Sequence, residues 1–141
     1  MEFKKFYIED SNGKSNCVIR SLCKILNKEY NEVLNGLIDV QNEINAENFN
    51  DIPVFEKYME NNNIHKMSEN IGIKIKELKL DDGSYIVFCY DKEERYHMIA
   101  IIDNVIYDKK DDCLDLYAIS IYKKNWKMWK KSWFLFKKVV F

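Results

Sequence analysis

The spacing of the apolar residues changes once along this chain, close to Gly72. Before Gly72 they recur at intervals of three and four positions, which is typical of amphipathic helices. After it they alternate with polar residues or form short continuous runs, which is typical of β-strands. Helices followed by strands predict an α+β fold, in which N-terminal helices pack on a C-terminal antiparallel sheet.

Three helices are predicted in the first half of the chain. The first covers residues 17–26 and can be capped by Ser15 or Asn16, whose side chains accept hydrogen bonds from free backbone N–H groups. The second covers about residues 31–41, and the third covers residues 53–59 because Pro53 suits a first helical turn. Strands are predicted at residues 73–77, 85–90, 96–102, 105–108 and 116–122, with a short alternating segment at residues 3–8.

Length and composition bound the class of protein. The 141 residues are 47% hydrophobic and 32% charged, which is typical of a globular chain, and they fit a single domain spanning residues 1–141. No segment approaches the roughly 20 apolar residues of a membrane span, and no apolar leader follows Met1. Four cysteines without close repeated spacing indicate neither a disulfide framework nor a zinc site. We expect a cytoplasmic protein without a metal or cofactor.

Residues 122–141 form a basic aromatic segment that contains lysines and no acidic residue. Trp126, Trp129 and Trp133 are three and four positions apart, so a helix would place them on one face. The segment could complete the core as an edge element. Alternatively, the region Lys123–Ser132 could bind an anionic partner, such as nucleic acid or a membrane surface, or another protein.

A histidine and an aspartate flank a predicted hairpin turn. Asp103 and Asn104 separate two apolar runs and tolerate the positive φ angles that a two-residue turn requires. The resulting register places Ile99 opposite Asp108, so His97 and Asp108 share a face as diagonal neighbours. A carboxylate beside an imidazole orients the ring and stabilises its protonated form. Asp108 is therefore the expected partner of His97, because the turn carries the rivals Asp103 and Asn104 away from it.

Cys17 begins the first predicted helix. The helix dipole and the free N–H groups of the first turn favour the thiolate form there, and a protonated His97 would add to this effect. The backbone N–H of Cys17 can also donate a hydrogen bond to an oxyanion. A second donor is expected from an upstream side chain, for which Ser11, Asn12 and Asn16 are the candidates.

A family resemblance is carried by four segments, residues 16–22, 30–33, 83–87 and 97–108. Together they resemble small papain-like cysteine peptidases of the compact bacterial and phage type. The resemblance implies a papain-like fold with Cys17 as the nucleophile, His97 as the base and Asp108 as the residue that orients His97. It implies hydrolysis of an amide or peptide bond in a protein or peptide through a thioester, with no cofactor.

Other functions stay open. The same three residues could transfer an acyl group to an amine or deamidate glutamine. Taken singly, Cys17 and His97 could be core residues and Asp108 a turn residue. The chain could then be an inactive papain-like binding protein, such as a phage-encoded inhibitor. Larger papain relatives have a Gln about six residues before the cysteine, where this chain has Ser11, and its only Gln is Gln41. This difference favours the binding protein.

The remaining residues with reactive or charged side chains have structural interpretations. Arg20 lies one helical turn beyond Cys17 and is expected to form a salt bridge with an acidic residue, although it could also approach the site. His65 follows an Asn-rich segment and is expected at the surface. Cys23 and Cys89 are expected to pack in the core, where free cysteine is common.

Overall fold

The computed structural model describes residues 1–93 and 95–126. Within them, three helices and one six-stranded mixed sheet form an α+β fold, so the predicted fold class is confirmed. None of these three helices is long and apolar enough to cross a membrane. The predictions for Trp129, Trp133 and most of the region Lys123–Ser132 lie outside the described residues.

The helices are α1 (Cys17–Leu26), α2 (Tyr30–Ile44) and α3 (Ile52–Asn61). α1 has the predicted bounds, whereas α2 continues past the predicted end at Gln41. Both end at an asparagine with left-handed backbone, Asn27 with φ 55° and Asn45 with φ 58°. Asparagine tolerates this conformation better than most residues that carry a Cβ. The end of α2 is therefore set by Asn45 and not by the point where the apolar pattern fades.

The strands are β1 (Glu2–Lys5), β2 (Ile64–Ser68), β3 (Ser84–Tyr90), β4 (Tyr96–Ile102), β5 (Val105–Asp108) and β6 (Tyr117–Lys124). Their order in the sheet is β1-β5-β4-β3-β6-β2. β1 pairs with β5 in parallel, and the other neighbours in this order pair antiparallel. The prediction of a C-terminal antiparallel sheet is confirmed for β3 to β6. It is wrong at the edges, because β1 and β2 come from the first half of the chain and β1 pairs in parallel.

The predicted strand at residues 73–77 is also wrong. The structure has a three-ten turn at Ile75–Glu77, and it buries Ile75 and Leu78. These two residues are three positions apart, which is the repeat of a three-ten helix, so their burial does not require an extended chain. A second three-ten turn, Asp111–Asp115, follows β5.

The sheet is covered on both faces, because successive side chains of a strand point to opposite sides. On one face Phe88 and Met98 share an apolar core with residues of all three helices. On the other face Ile99 packs in a second core with residues of the two three-ten turns, among them Cys113. α1 lies on β4, and its first residue comes close to the beginning of that strand. This packing positions the site described next.

Candidate active site

Cys17 is the first residue of α1, and the residue before it caps the helix. Oδ1 of Asn16 accepts hydrogen bonds from the backbone N–H groups of Val18 at 2.9 Å and Ile19 at 3.3 Å. The backbone carbonyl of Asn16 accepts from the N–H of Arg20 at 2.8 Å. The N–H of Cys17 has no hydrogen-bond partner within residues 1–93 and 95–126. Such a free N–H can donate to an oxyanion formed on a group bonded to the Cys17 sulfur.

The β4–β5 hairpin has the predicted two-residue turn. Asp103 and Asn104 have positive φ angles of 48° and 66°. The ladder contains the predicted pairs nearest the turn but ends before the pair of Ile99 with Asp108. At that point the N–H of Lys109 donates to Oδ1 of Asp108 at 2.8 Å. The N–H of Lys109 is thus used by a local hydrogen bond and not by the ladder, which ends at the pair of Ala100 with Tyr107.

His97 and Asp108 are in contact, so the predicted neighbour relationship is confirmed. Nε2 of His97 lies 2.8 Å from Oδ2 of Asp108. The Asp108 side chain is only 3% exposed, whereas that of His97 is 26% exposed. Because Nε2 faces the carboxylate, Nδ1 is the ring nitrogen left for the thiol of Cys17. A buried carboxylate thus orients an imidazole that is partly exposed to solvent.

The three side chains change one another's pKa values. Burial would raise the pKa of the Cys17 thiol, but hydrogen bonding to His97 and the charge of its ring outweigh burial and lower it. Burial would lower the pKa of His97, but Asp108 and Cys17 raise it to about 9. Burial would raise the pKa of Asp108, yet His97 holds it below its usual value. These directions favour a thiolate, an imidazolium and a carboxylate side by side.

Arg20 forms a buried salt bridge with the same aspartate. Nη2 of Arg20 lies 3.1 Å from Oδ1 of Asp108, and both side chains are buried. Nη1 donates to Oγ of Ser15 at 3.0 Å. The salt bridge expected for Arg20 is confirmed, and its acidic partner also contacts His97. The two interpretations of Arg20, an ion pair and proximity to the site, therefore hold together.

A pocket of about 290 Å³ lies beside Cys17 and His97. Tyr96, at its mouth, is 64% exposed and stacks on Phe88 with ring centroids 5.3 Å apart. Asp51 lies at the start of α3 and also lines the pocket. Sequence reasoning missed these residues, because they come from distant segments that no periodicity connects. The apolar part of the wall consists of Val18, Ile52, Phe55, Phe88, Tyr96 and Met98.

The structure separates the three candidates for the second oxyanion donor. Ser11 and Asn12 lie in an exposed turn, where the N–H of Asn12 donates to Oδ1 of Asp10 at 2.8 Å. None of the three side chains, that of Asn16 included, lines the pocket beside Cys17. Asn16 is fixed next to Cys17 by its capping hydrogen bonds, which use Oδ1 and leave Nδ2 for another partner.

The other reactive side chains lie away from this site. His65 is on β2, a strand that was not predicted. Its side chain is 16% exposed and its Nδ1 lies 2.7 Å from Oε2 of Glu60. His65 is therefore less exposed than expected. Cys23 and Cys89 are buried as predicted, and so is Cys113. Burial raises the pKa of Cys23 to about 11, which keeps that thiol protonated. No group of three His, Cys, Asp or Glu side chains suited to a metal ion occurs among the described residues.

Comparison of the chain with protein-family models, with curated proteins and with solved structures gave no match. The chemistry of the site is therefore inferred from its own geometry. A thiol of lowered pKa, an oriented imidazole and a free N–H at a helix N-terminus can together attack a carbonyl carbon and stabilise the oxyanion that forms.

Proposed function

We propose that this protein is a papain-like cysteine hydrolase that cleaves an amide bond of a protein or peptide. Cys17 is the nucleophile, His97 is the general base and acid, and Asp108 orients His97. The observation that supports the proposal most is the position of His97. Its Nε2 is held at 2.8 Å by a buried carboxylate while its ring interacts with a thiol at the head of α1. This combination is typical of activated cysteines.

The α+β arrangement supports the papain-like assignment. The helix that carries Cys17 lies on the strand that carries His97, and Oγ of Ser21 donates to the carbonyl oxygen of Met98 at 2.9 Å. A nucleophile helix packed on the strand of the base is what the family resemblance implies. The pocket beside Cys17 has room for part of a peptide.

The reaction begins when the Cys17 thiolate attacks the carbonyl carbon of the amide. The carbonyl oxygen becomes negatively charged, and the free N–H of Cys17 donates to it. Asn16 offers Nδ2 as the second donor. His97 then gives its proton to the leaving nitrogen, the C–N bond breaks, and a thioester to Cys17 remains.

Water completes the cycle. Neutral His97 removes a proton from a water molecule, whose oxygen attacks the thioester carbon. The C–S bond breaks, the carboxylic acid product leaves, and Cys17 and His97 return to the thiolate and imidazolium forms. Asp108 stays ionised throughout and keeps the ring in its orientation. An amine in place of water would give acyl transfer from the same intermediate.

Labelling with iodoacetamide at about pH 6 tests whether Cys17 is activated, because an ordinary thiol is almost fully protonated there. We expect Cys17 to react roughly tenfold or more faster than glutathione, and H97N to remove this advantage. Peptide mapping by mass spectrometry identifies the labelled cysteine. A rate no greater than that of glutathione would contradict the hydrolase and favour a binding protein on the same scaffold.

Turnover is tested by incubating a peptide library with the wild type and with C17A, followed by mass spectrometry of the products. Cleavage that requires Cys17 supports the hydrolase, and hydroxylamine should trap the thioester. Products that appear only with an added amine would contradict the hydrolase and indicate an acyltransferase. Conversion of glutamine to glutamate without cleavage would replace it by a deamidase.

A further inference from the structure

Arg20 connects the helix of Cys17 with the strand of Asp108 and is almost fully covered. It is 5% exposed, although arginine is rarely buried unless it is paired. Its guanidinium donates from Nη2 to Oδ1 of Asp108 at 3.1 Å and from Nη1 to Oγ of Ser15 at 3.0 Å. One planar group therefore holds two partners at a fixed separation, which uses the rigid fork of N–H donors that only arginine has.

The two carboxylate oxygens of Asp108 have different partners. Oδ2 faces Nε2 of His97 at 2.8 Å. Oδ1 accepts from Arg20 at 3.1 Å and from the backbone N–H of Lys109 at 2.8 Å. Because Oδ1 is held by two donors, the carboxylate cannot rotate about its Cβ–Cγ bond without breaking both hydrogen bonds. The direction of Oδ2 toward His97 is thereby fixed.

Ser15 anchors the other arm of the guanidinium. Its hydroxyl donates to the carbonyl oxygen of Ile8 at 2.7 Å, which leaves the Ser15 oxygen free to accept from Arg20. A continuous series of hydrogen bonds thus runs from Ile8 through Ser15, Arg20 and Asp108 to His97. Most of its members are buried or half-buried, so competition from water is weak.

We propose that Arg20 is a positioning residue of the reaction, which keeps Asp108 directed at His97 and thereby keeps Cys17 ready to react. This inference rests on the proposed hydrolase function. Arg20 does not line the pocket beside Cys17, so it acts through Asp108. Burial, His97 and a backbone N–H have larger effects on the pKa values of Asp108 and Cys17, and the charge of Arg20 lowers both further.

Other titratable groups face Asp108 and stay unchanged in the variants that test this role. A cavity of about 240 Å³ beside Asp108 is lined by several of them. Burial and the charge of Asp108 raise the pKa of the nearby thiol of Cys113. Besides Arg20 and His97, these groups are Lys109, Lys110, Asp112 and Cys113.

The experiment compares R20M with the matched control K24M. Lys24 lies about one turn further along α1 and is also cationic, but its ammonium group packs 4.2 Å from the centre of the Tyr107 ring. Alkylation of Cys17 by iodoacetamide is followed across a pH series. We expect R20M to slow alkylation at about pH 6 by roughly tenfold or more and K24M to stay within about twofold, since loss of an orienting partner commonly acts on this scale. We also expect the alkylation profile of R20M to move to higher pH, which a residue that only supports the fold would not cause.

Two further variants keep the test decisive if R20M does not fold. R20K retains the charge, but one ammonium group cannot hold Ser15 and Asp108 in the same fork. S15A retains the guanidinium and frees one of its arms. We expect both to slow Cys17 less than R20M does and to shift the Nε2–H proton resonance of His97. Unchanged pH profiles in both would overturn the inference.

Failure of this inference differs from failure of the proposed function. A wild-type Cys17 that reacts no faster than glutathione contradicts the hydrolase itself. A fast wild-type Cys17 with equal rates and pH profiles in R20M and K24M overturns only the role of Arg20. A slow R20M beside an unaltered K24M supports it.

Discussion

The hydroxyl of Ser21 donates a buried hydrogen bond of 2.9 Å to the backbone carbonyl of Met98. Ser21 lies one helical turn after Cys17 in α1, and Met98 directly follows His97 in β4. The backbone N–H of Met98 also favours the thiolate of Cys17. Met98 therefore contacts α1 twice, with its carbonyl at Ser21 and with its N–H at Cys17.

S21A should lower the free energy of unfolding by about 0.5–1.5 kcal/mol, the net contribution of a typical hydrogen bond, and should slow alkylation of Cys17. Urea unfolding measures the first effect and iodoacetamide labelling the second. S84A is the control, because the Ser84 hydroxyl forms no hydrogen bond in the described part of the chain and its loss should change stability by less than about 0.5 kcal/mol. Equal effects of the two variants would refute the prediction.

D108N removes the negative charge of Asp108 and keeps a side chain of nearly the same shape. The pKa of His97 should fall from about 9 toward its ordinary value of 6.5, because the negative partner is gone. The buried charge of Arg20 would lose its partner, which costs about 3–5 kcal/mol of stability in comparable ion pairs. A ¹H NMR titration of His97 and urea unfolding measure the two effects. An unchanged titration of His97 would show that Asp108 does not control the ring.

The pH dependence of stability has a defined sign. The pKa of His97 is about 9 in the folded chain and has its ordinary value of 6.5 in the unfolded chain, so the folded state binds the proton more tightly. The contribution of His97 to the free energy of unfolding is complete below pH 6.5 and is lost as pH rises through about 9. The difference in unfolding free energy between wild type and H97N should therefore shrink across this window. A constant difference would contradict the assignment.

Asn16 can be tested for its two roles separately. Serine caps a helix about as well as asparagine, whereas alanine loses about 1 kcal/mol, so N16S should keep the stability that N16A loses. If Nδ2 of Asn16 holds the oxyanion, both variants should lose turnover by about 10²–10³-fold. Alkylation of Cys17 forms no oxyanion and should stay near the wild-type rate in N16S. Normal turnover of N16S would rule out Nδ2 of Asn16 as the second donor.

Y96A should weaken the binding of a peptide ligand and leave the reactivity of the Cys17 thiol unchanged. Tyr96 is largely exposed and stacks on Phe88, and such aromatic pairs contribute about 0.5–1.5 kcal/mol. A peptide vinyl sulfone with a phenylalanine side chain should label Cys17 more slowly in Y96A, while iodoacetamide should label it at the wild-type rate. Equal slowing of both reagents would mean that Tyr96 acts on Cys17 itself.

The contact between His97 and Asp108 could be predicted from the sequence because one short turn relates them. Asp103 and Asn104 set the register of the hairpin, and the alternation of side chains then places both residues on one face. The start of α1 is also a local signal, since Asn16 caps it. Such features depend on residues within a dozen positions of one another.

The parts that could not be predicted depend on how distant segments pack. The alternating segment at residues 3–8 overlaps β1, but its parallel pairing with β5, far along the chain, leaves no signal in the sequence. β2 is short and also pairs with a distant strand, and it carries too few residues for a periodic pattern to stand out. The choice of Asp108 as the partner of Arg20 depends on where α1 lies on the sheet. The same holds for Tyr96 and Asp51, which meet at one pocket only after α3 and β4 are in place.

β1 shields the outer side of β5. Lys5 stands beside Asp108 in the parallel register, and the N–H of Phe6 donates to the Asp108 carbonyl at 2.8 Å. Removal of the residues before Tyr7 would leave β5, which carries Asp108, as an unpaired edge strand. A second molecule could add a strand to this edge and start aggregation. Proteolysis or a poorly placed affinity tag at this end would consequently disturb His97 by displacing Asp108, without altering any residue that takes part in the chemistry.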